Sequence, residues 1–98
     1  MNKHRAFELE VLGRVTEDYE APHTIVGDIV RDTGRITNES EVRAALLALA
    51  QRGLVQTYVY DSGGHRYRPI THSEALAVGD PWFMSTAAGN AELERDAN

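Results

Sequence analysis

The 98-residue chain carries 15 acidic and 10 basic side chains, a formal net charge of −5 and a pI near 5.2. That length allows one small domain with a thin core, and 42% apolar with 26% charged residues is a globular composition, not a disordered one. The absence of cysteine excludes disulfide scaffolds, cysteine-ligated zinc, iron–sulfur clusters and thiol catalysis, while no apolar window crosses a membrane and no leader core marks the N-terminus, so a cytoplasmic chain is expected.

Residues 5–19 read as a helix, with Phe7, Val11, Leu12, Val15 and Tyr19 near one face. Pro22 interrupts it. A second helix is expected over 23–33, with Thr24 as N-cap, Ile25, Val26, Ile29 and Val30 facing inward, and Gly34 in the left-handed position after it. After the tight connector Arg35-Ile36-Thr37, Asn38 and Glu41 have the spacing of a capping box. The third helix then runs over 38–52 with Val42, Ala45, Leu46, Leu49 and Ala50 as its inner stripe, and Gly53 closes it.

The period changes at Leu54. Residues 54–60 are rich in β-branched and aromatic side chains, Asp61-Ser62-Gly63-Gly64 is a hairpin turn signal, and His65–Arg68 returns as the partner strand. A loop centred on Ser62-Gly63 sets Tyr58 opposite Tyr67 and Tyr60 opposite His65, with Arg66 and Arg68 sharing the other face with Val59. In the extension 72–98, Thr71 and Glu74 cap a short helix through Val78, Trp82-Phe83-Met84 forms a third strand or an apolar plug, and Ser85 or Thr86 caps a last helix over 87–95. Residues 96–98 are expected to fray.

Charge is unevenly distributed. Residues 1–34 are net −3 and residues 73–98 net −4, whereas 35–72 are net +2, through Arg35, Arg43, Arg52, Arg66 and Arg68. A local positive face matters more to a phosphate than the total, because salt screens beyond about 8–10 Å.

The order of three helices and a hairpin, with a very short turn between helices two and three, resembles the winged helix-turn-helix regulators of the MarR- and PadR-like groups. The resemblance covers about residues 6–71. It is carried by Thr24–Val30 with Gly34, by Val42–Leu49, by Arg52-Gly53-Leu54-Val55 as the junction into the wing, and by Asp61–Arg68 as the wing. Two stretches match the last wing strand and the T-x-x-G after it. They are Tyr67–Thr71, which bounds the wing at 54–71, and Trp82–Gly89, the better match, which makes 69–81 an insertion.

The resemblance implies an α+β, mainly helical domain over 1–98 that binds duplex DNA as a homodimer and regulates transcription, with no cofactor and no enzymatic activity. Helix 38–52 becomes the recognition helix, since a major groove about 12 Å wide admits one helix. Arg43 would reach a guanine, with Asn38 and Ser40 at a base edge or phosphate and Arg35 and Thr37 at the backbone. Arg66 and Arg68 would anchor the wing, with His65 adding charge below about pH 6.5. Glu39 and Glu41 oppose this arrangement, because carboxylates repel phosphate.

Tyr58, Tyr60 and Tyr67 are either base-stacking groups or cross-strand packing pairs. Phe7 in the first helix and Trp82, Phe83 and Met84 in the extension are candidate dimer contacts. The four histidines lack the convergent spacing of a metal site. No nucleophile–base pair is present. The alternative function is a winged helix that docks a protein partner through its acidic ends and aromatic cluster.

Overall fold

The structure is a computed structural model that describes residues 3–97. Its elements are α1 (Lys3–Gly13), α2 (Pro22–Thr33), α3 (Glu39–Gln51), β1 (Val55–Asp61), β2 (Arg66–Ile70), α4 (His72–Ala77), β3 (Trp82–Ser85) and α5 (Ala87–Ala97). The class is α+β and mainly helical, as expected, with the hairpin widened to a three-stranded sheet.

The first helix buries Phe7, Val11 and Leu12, yet it stops at Gly13 and does not reach Tyr19. The Arg14 and Val15 amides close three-residue turns onto the Val11 and Leu12 carbonyls. The cause is tertiary. Glu20 exchanges two backbone hydrogen bonds with Phe83, at 2.8 and 2.9 Å, and a continuing helix could not supply them. Val15 remains buried outside the helix.

The second helix begins at Pro22, so Thr24 lies in its first turn and is not the cap. Ala21 holds the cap position with no side-chain bond. A proline at the first helical position has no N–H to satisfy and a preset φ. At the other end Gly34 adopts φ 73° and donates to the Val30 carbonyl, as expected of a left-handed stop.

The cap of α3 is a variant of the reciprocal box. Asn38 Oδ1 accepts from the Glu41 amide at 2.9 Å, and Asn38 Nδ2 donates to Glu41 Oε1 at 3.3 Å. The returning bond uses the asparagine side chain, where the usual capping box uses the backbone N–H of the cap residue. Asn38→Ala is expected to lower stability by about 1 kcal/mol. A denaturant midpoint equal to wild type would show that water replaces the cap.

The sheet order is β2–β1–β3, with both outer strands antiparallel to β1. β2 and β3 therefore run parallel, and α4 is the crossover between them. Phe83, Leu54 and Val55 pack with Leu12, Ile25, Ile29, Leu46 and Leu49 in one core. The stretch Trp82–Gly89 thus supplies a third strand, which pairs with β1 on the side away from β2, and α4 lies between β2 and β3 in the chain.

The hairpin register differs by two residues from expectation. Tyr60 lies opposite Tyr67, and Tyr58 opposite Pro69. Asp61 Oδ1 accepts from the Gly63 and Gly64 amides at 3.1 and 3.2 Å, and His65 takes φ 51°, so the loop spans four residues. A shift of two preserves the faces, because side chains alternate with period two. Arg66 and Arg68 accordingly share a face with Val59, as predicted.

Beyond the wing, Thr71 and Glu74 form a full capping box on α4. Thr86 caps α5, accepting from the Gly89 amide at 3.1 Å while its hydroxyl donates to the Gly53 carbonyl at 2.7 Å. The T-x-x-G pattern is therefore a joint between α5 and the start of β1. α5 continues to Ala97, past Arg95, so Asp96 is helical where fraying was expected; Asn98 lies outside the described residues.

Candidate nucleic-acid interface

Two helices joined by Gly34–Asn38, followed by a ribbon, set the stage for a surface made of α3 and the wing. The sequence placed eight residues on it. The structure does not bring them all together.

Arg66 and Arg68 project from β2 on one face of the ribbon, both exposed, and neither forms an ion pair among the described residues. The adjoining tip, Ser62–His65, is exposed throughout. Glu74 stands within the field of Arg68. Its carboxyl lies below the ordinary range, first because the Thr71 amide donates to it, then through the Thr71 hydroxyl, with the charge of Arg68 adding to the effect.

Arg43 is engaged elsewhere. Its guanidinium donates to the carbonyls of Val78 at 2.8 Å and of Ala75 and Gly79 at 3.2 Å. These groups end α4, whose cap residue Val78 is extended and closes none of them by a left-handed turn. The side chain read as a guanine contact is therefore the clamp that holds α4 against α3. The sequence carried no signal for this, since the partners are backbone atoms more than thirty residues away. Arg43→Ala is expected to speed amide exchange across residues 72–79 roughly tenfold, for hydrogen bonds to a charged group with a net worth of about 1.5–3 kcal/mol when unscreened. Unchanged exchange there would show that burial of Ala75 alone secures the helix.

Arg35 lies over the ring of Phe7, 4.4 Å from its centroid, on the α1 side of the turn. It remains exposed. The Thr37 hydroxyl is turned inward and meets no hydrogen-bond partner among the described residues, so it is not presented to a ligand in this conformation. Asn38 is occupied as the cap. Ser40, Glu39 and Glu41 are exposed on the first turn of α3.

The arginines outside this surface are held by carboxylates. Arg14 binds Glu10 and Asp32, Arg31 binds Asp28 and Asp32, and Arg52 binds Glu8. Asp32 is lowered below its usual range by the hydrogen bonds from Arg14 and then Arg31. Arg5 and Arg95 both reach Glu92. Against that background, the two wing arginines stand out by lacking such partners.

The aromatic residues form a cluster on the other face of the sheet. Tyr19 stacks on Tyr67, with centroids 3.9 Å apart, and Tyr58, Tyr60 and Trp82 surround the pair. The rings thus pack on one another, the cross-strand alternative of the two considered. Of the candidate dimer contacts, Phe7 and Phe83 are core residues, 7% and 0% exposed, and are unavailable to a partner; Trp82 and Met84 are half-buried. Among the described residues no group of three or more histidine or carboxylate side chains could hold a metal ion, and no helix is long and apolar enough to cross a membrane.

No family model matches the sequence, and no curated protein matches it. Among solved structures, the chain is similar to Bacillus subtilis PadR in complex with operator DNA, with a TM-score of 0.68 at 15% identity. The likeness covers 93% of this chain and 46% of that one, so the chain spans about half the length of the protein it matches. What the two share is the PadR-like winged-helix fold.

Proposed function

We propose that this domain is a double-stranded-DNA-binding transcription regulator of the cytoplasm that docks chiefly through its wing. The observation that carries the reading is the exposed, unpaired Arg66–Arg68 pair on one face of a glycine-tipped ribbon. The fold likeness to a protein solved on operator DNA supports it. In this reading Arg66 and Arg68 contact phosphates, with His65 beside them, Ser40 and Asn38 enter the major groove with the first turn of α3, and Arg35 approaches the backbone from the helix–turn–helix junction. Arg43 acts as a positioning residue, fixing α4 between α3 and the wing. A homodimer would present two such units to a two-fold site.

The test is fluorescence anisotropy of a random-sequence duplex at about 50 and 200 mM salt. Binding that weakens steeply with salt is the expected result. Absence of binding at the lower salt would remove the reading. It would favour a protein-docking winged helix instead, for which the exposed Glu39 and Glu41 on the outer turn of α3 are the supporting observation.

A further inference from the structure

The most exposed large apolar side chain among the described residues is Ile36, at 91%. A single exposed aliphatic residue is ordinary, and it is the place of this one that gives it meaning. Ile36 stands in the middle of the five-residue connector that leads into α3, and its neighbours are all engaged. Gly34 is the left-handed stop of α2. Arg35 lies over Phe7 on the α1 side, and its amide donates to the Thr33 hydroxyl at 3.1 Å. Thr37 turns its hydroxyl inward, and Asn38 caps α3. The backbone is thereby fixed on both sides of Ile36 while its side chain meets solvent.

The start of α3 is poorly equipped to read guanine. Its first turn, Glu39-Ser40-Glu41-Val42, holds two carboxylates and no cation. Arg43, one residue further on, points its guanidinium at the carbonyls of Ala75, Val78 and Gly79. The guanine edge in the major groove carries two acceptors, N7 and O6, which an arginine or lysine usually answers. Carboxylates are acceptors too and offer them nothing. The thymine edge carries one acceptor and the 5-methyl group, the one apolar group that a base presents in that groove. An unpartnered aliphatic side chain beside an acidic helix start matches that methyl group and no other base feature.

We propose that Ile36 is a specificity-determining residue for duplex DNA, packing on a thymine 5-methyl group beneath the start of α3 and giving the domain a preference for A·T pairs there. The inference rests on the docking on DNA proposed above, and it adds a base contact to the phosphate contacts of Arg66 and Arg68. An apolar contact releases no counterion, so it changes affinity without changing the salt slope.

The test compares two duplexes of equal length, alternating adenine–thymine and alternating adenine–uracil, which differ in the methyl group alone. Thymine recurs at every second base, so a methyl group comes within reach of Ile36 in any register. Anisotropy titrations at about 50 mM salt are expected to show wild type binding the thymine duplex roughly fourfold more tightly, the gain from burying one methyl group. Ile36→Ala, too short to reach the methyl group, is expected to bind both duplexes alike with the wild-type salt slope, and Ile36→Val to keep most of the preference. The side chain is exposed, so neither variant is expected to move the thermal melt. A preference that persists in Ile36→Ala would belong to duplex shape and would overturn the proposal. Equal binding of the two duplexes by wild type would overturn it as well. If that equal binding still weakens steeply with salt, docking on DNA stands and the Ile36 contact alone is removed. Absence of binding to either duplex would remove both.

Discussion

Replacing Arg66 and Arg68 together by alanine is expected to weaken binding to every duplex sequence alike and to reduce the slope of log K against log salt by about two. Each arginine on a phosphate releases close to one condensed counterion, so two contacts account for a slope change of roughly 1.8. The loss is uniform across sequences because phosphates carry no base identity. Folding is not expected to suffer, since both side chains are exposed and unpaired and such positions change stability by about 0.5 kcal/mol or less. Anisotropy titrations of the double variant on specific and random duplexes read both quantities. An unchanged slope would take the wing out of the mechanism and leave α3, with its acidic first turn, to carry binding alone.

The largest expected effect on stability comes from Gly89→Ala. A Cβ at this position would lie 2.0 Å from the Leu54 carbonyl oxygen, 3.0 Å from its carbon and 3.3 Å from Leu12 Cδ1. Two of these are backbone atoms, which no rotamer change can move aside. The joint is fastened from both sides, because the Thr86 amide donates to the same Leu54 carbonyl at 3.0 Å and the Thr86 hydroxyl to Gly53. α5 would therefore have to shift as a body. A cost of about 3 kcal/mol is expected, at the upper end for overpacking, with Tm falling by roughly 12–24 °C in a domain of this size. Gly27→Ala is the control. It sits in α2, where an added Cβ would meet only open space, and is expected to raise stability by about 0.5–1 kcal/mol through helix propensity. Thermal melts of the two variants decide the matter. A Gly89→Ala protein melting within a few degrees of wild type would show that α5 docks loosely.

Local signals were legible where the physics is local. The Asn38–Glu41 and Thr71–Glu74 caps, the left-handed Gly34 and the inner stripe of α3 all rest on groups within four residues of one another. The hairpin register was not, because two turn geometries compete at Asp61–His65 and the choice falls to the Asp61 carboxylate and a positive φ at His65. The shared face of Arg66 and Arg68 is legible all the same, since alternation depends on parity and not on register. The end of α1 is not legible, because the apolar spacing continues through Val15 while the chain leaves the helix to pair Glu20 with Phe83.

What the sequence by itself determined was the order of the three helices and the hairpin, the inner stripe of α3 and the basic middle third, which follow from periodicity, capping chemistry and charge count; Val30, placed inward by the same spacing, is exposed. Tertiary structure decided which of the arginines are free. Arg43 and Arg66 look alike in the sequence, each an arginine at an outward position of its element. One faces the open carbonyls of a helix end brought to it by the crossover, and the other faces solvent. Such a difference depends on groups distant in the chain, because a guanidinium takes whichever acceptors the fold sets within about 3 Å.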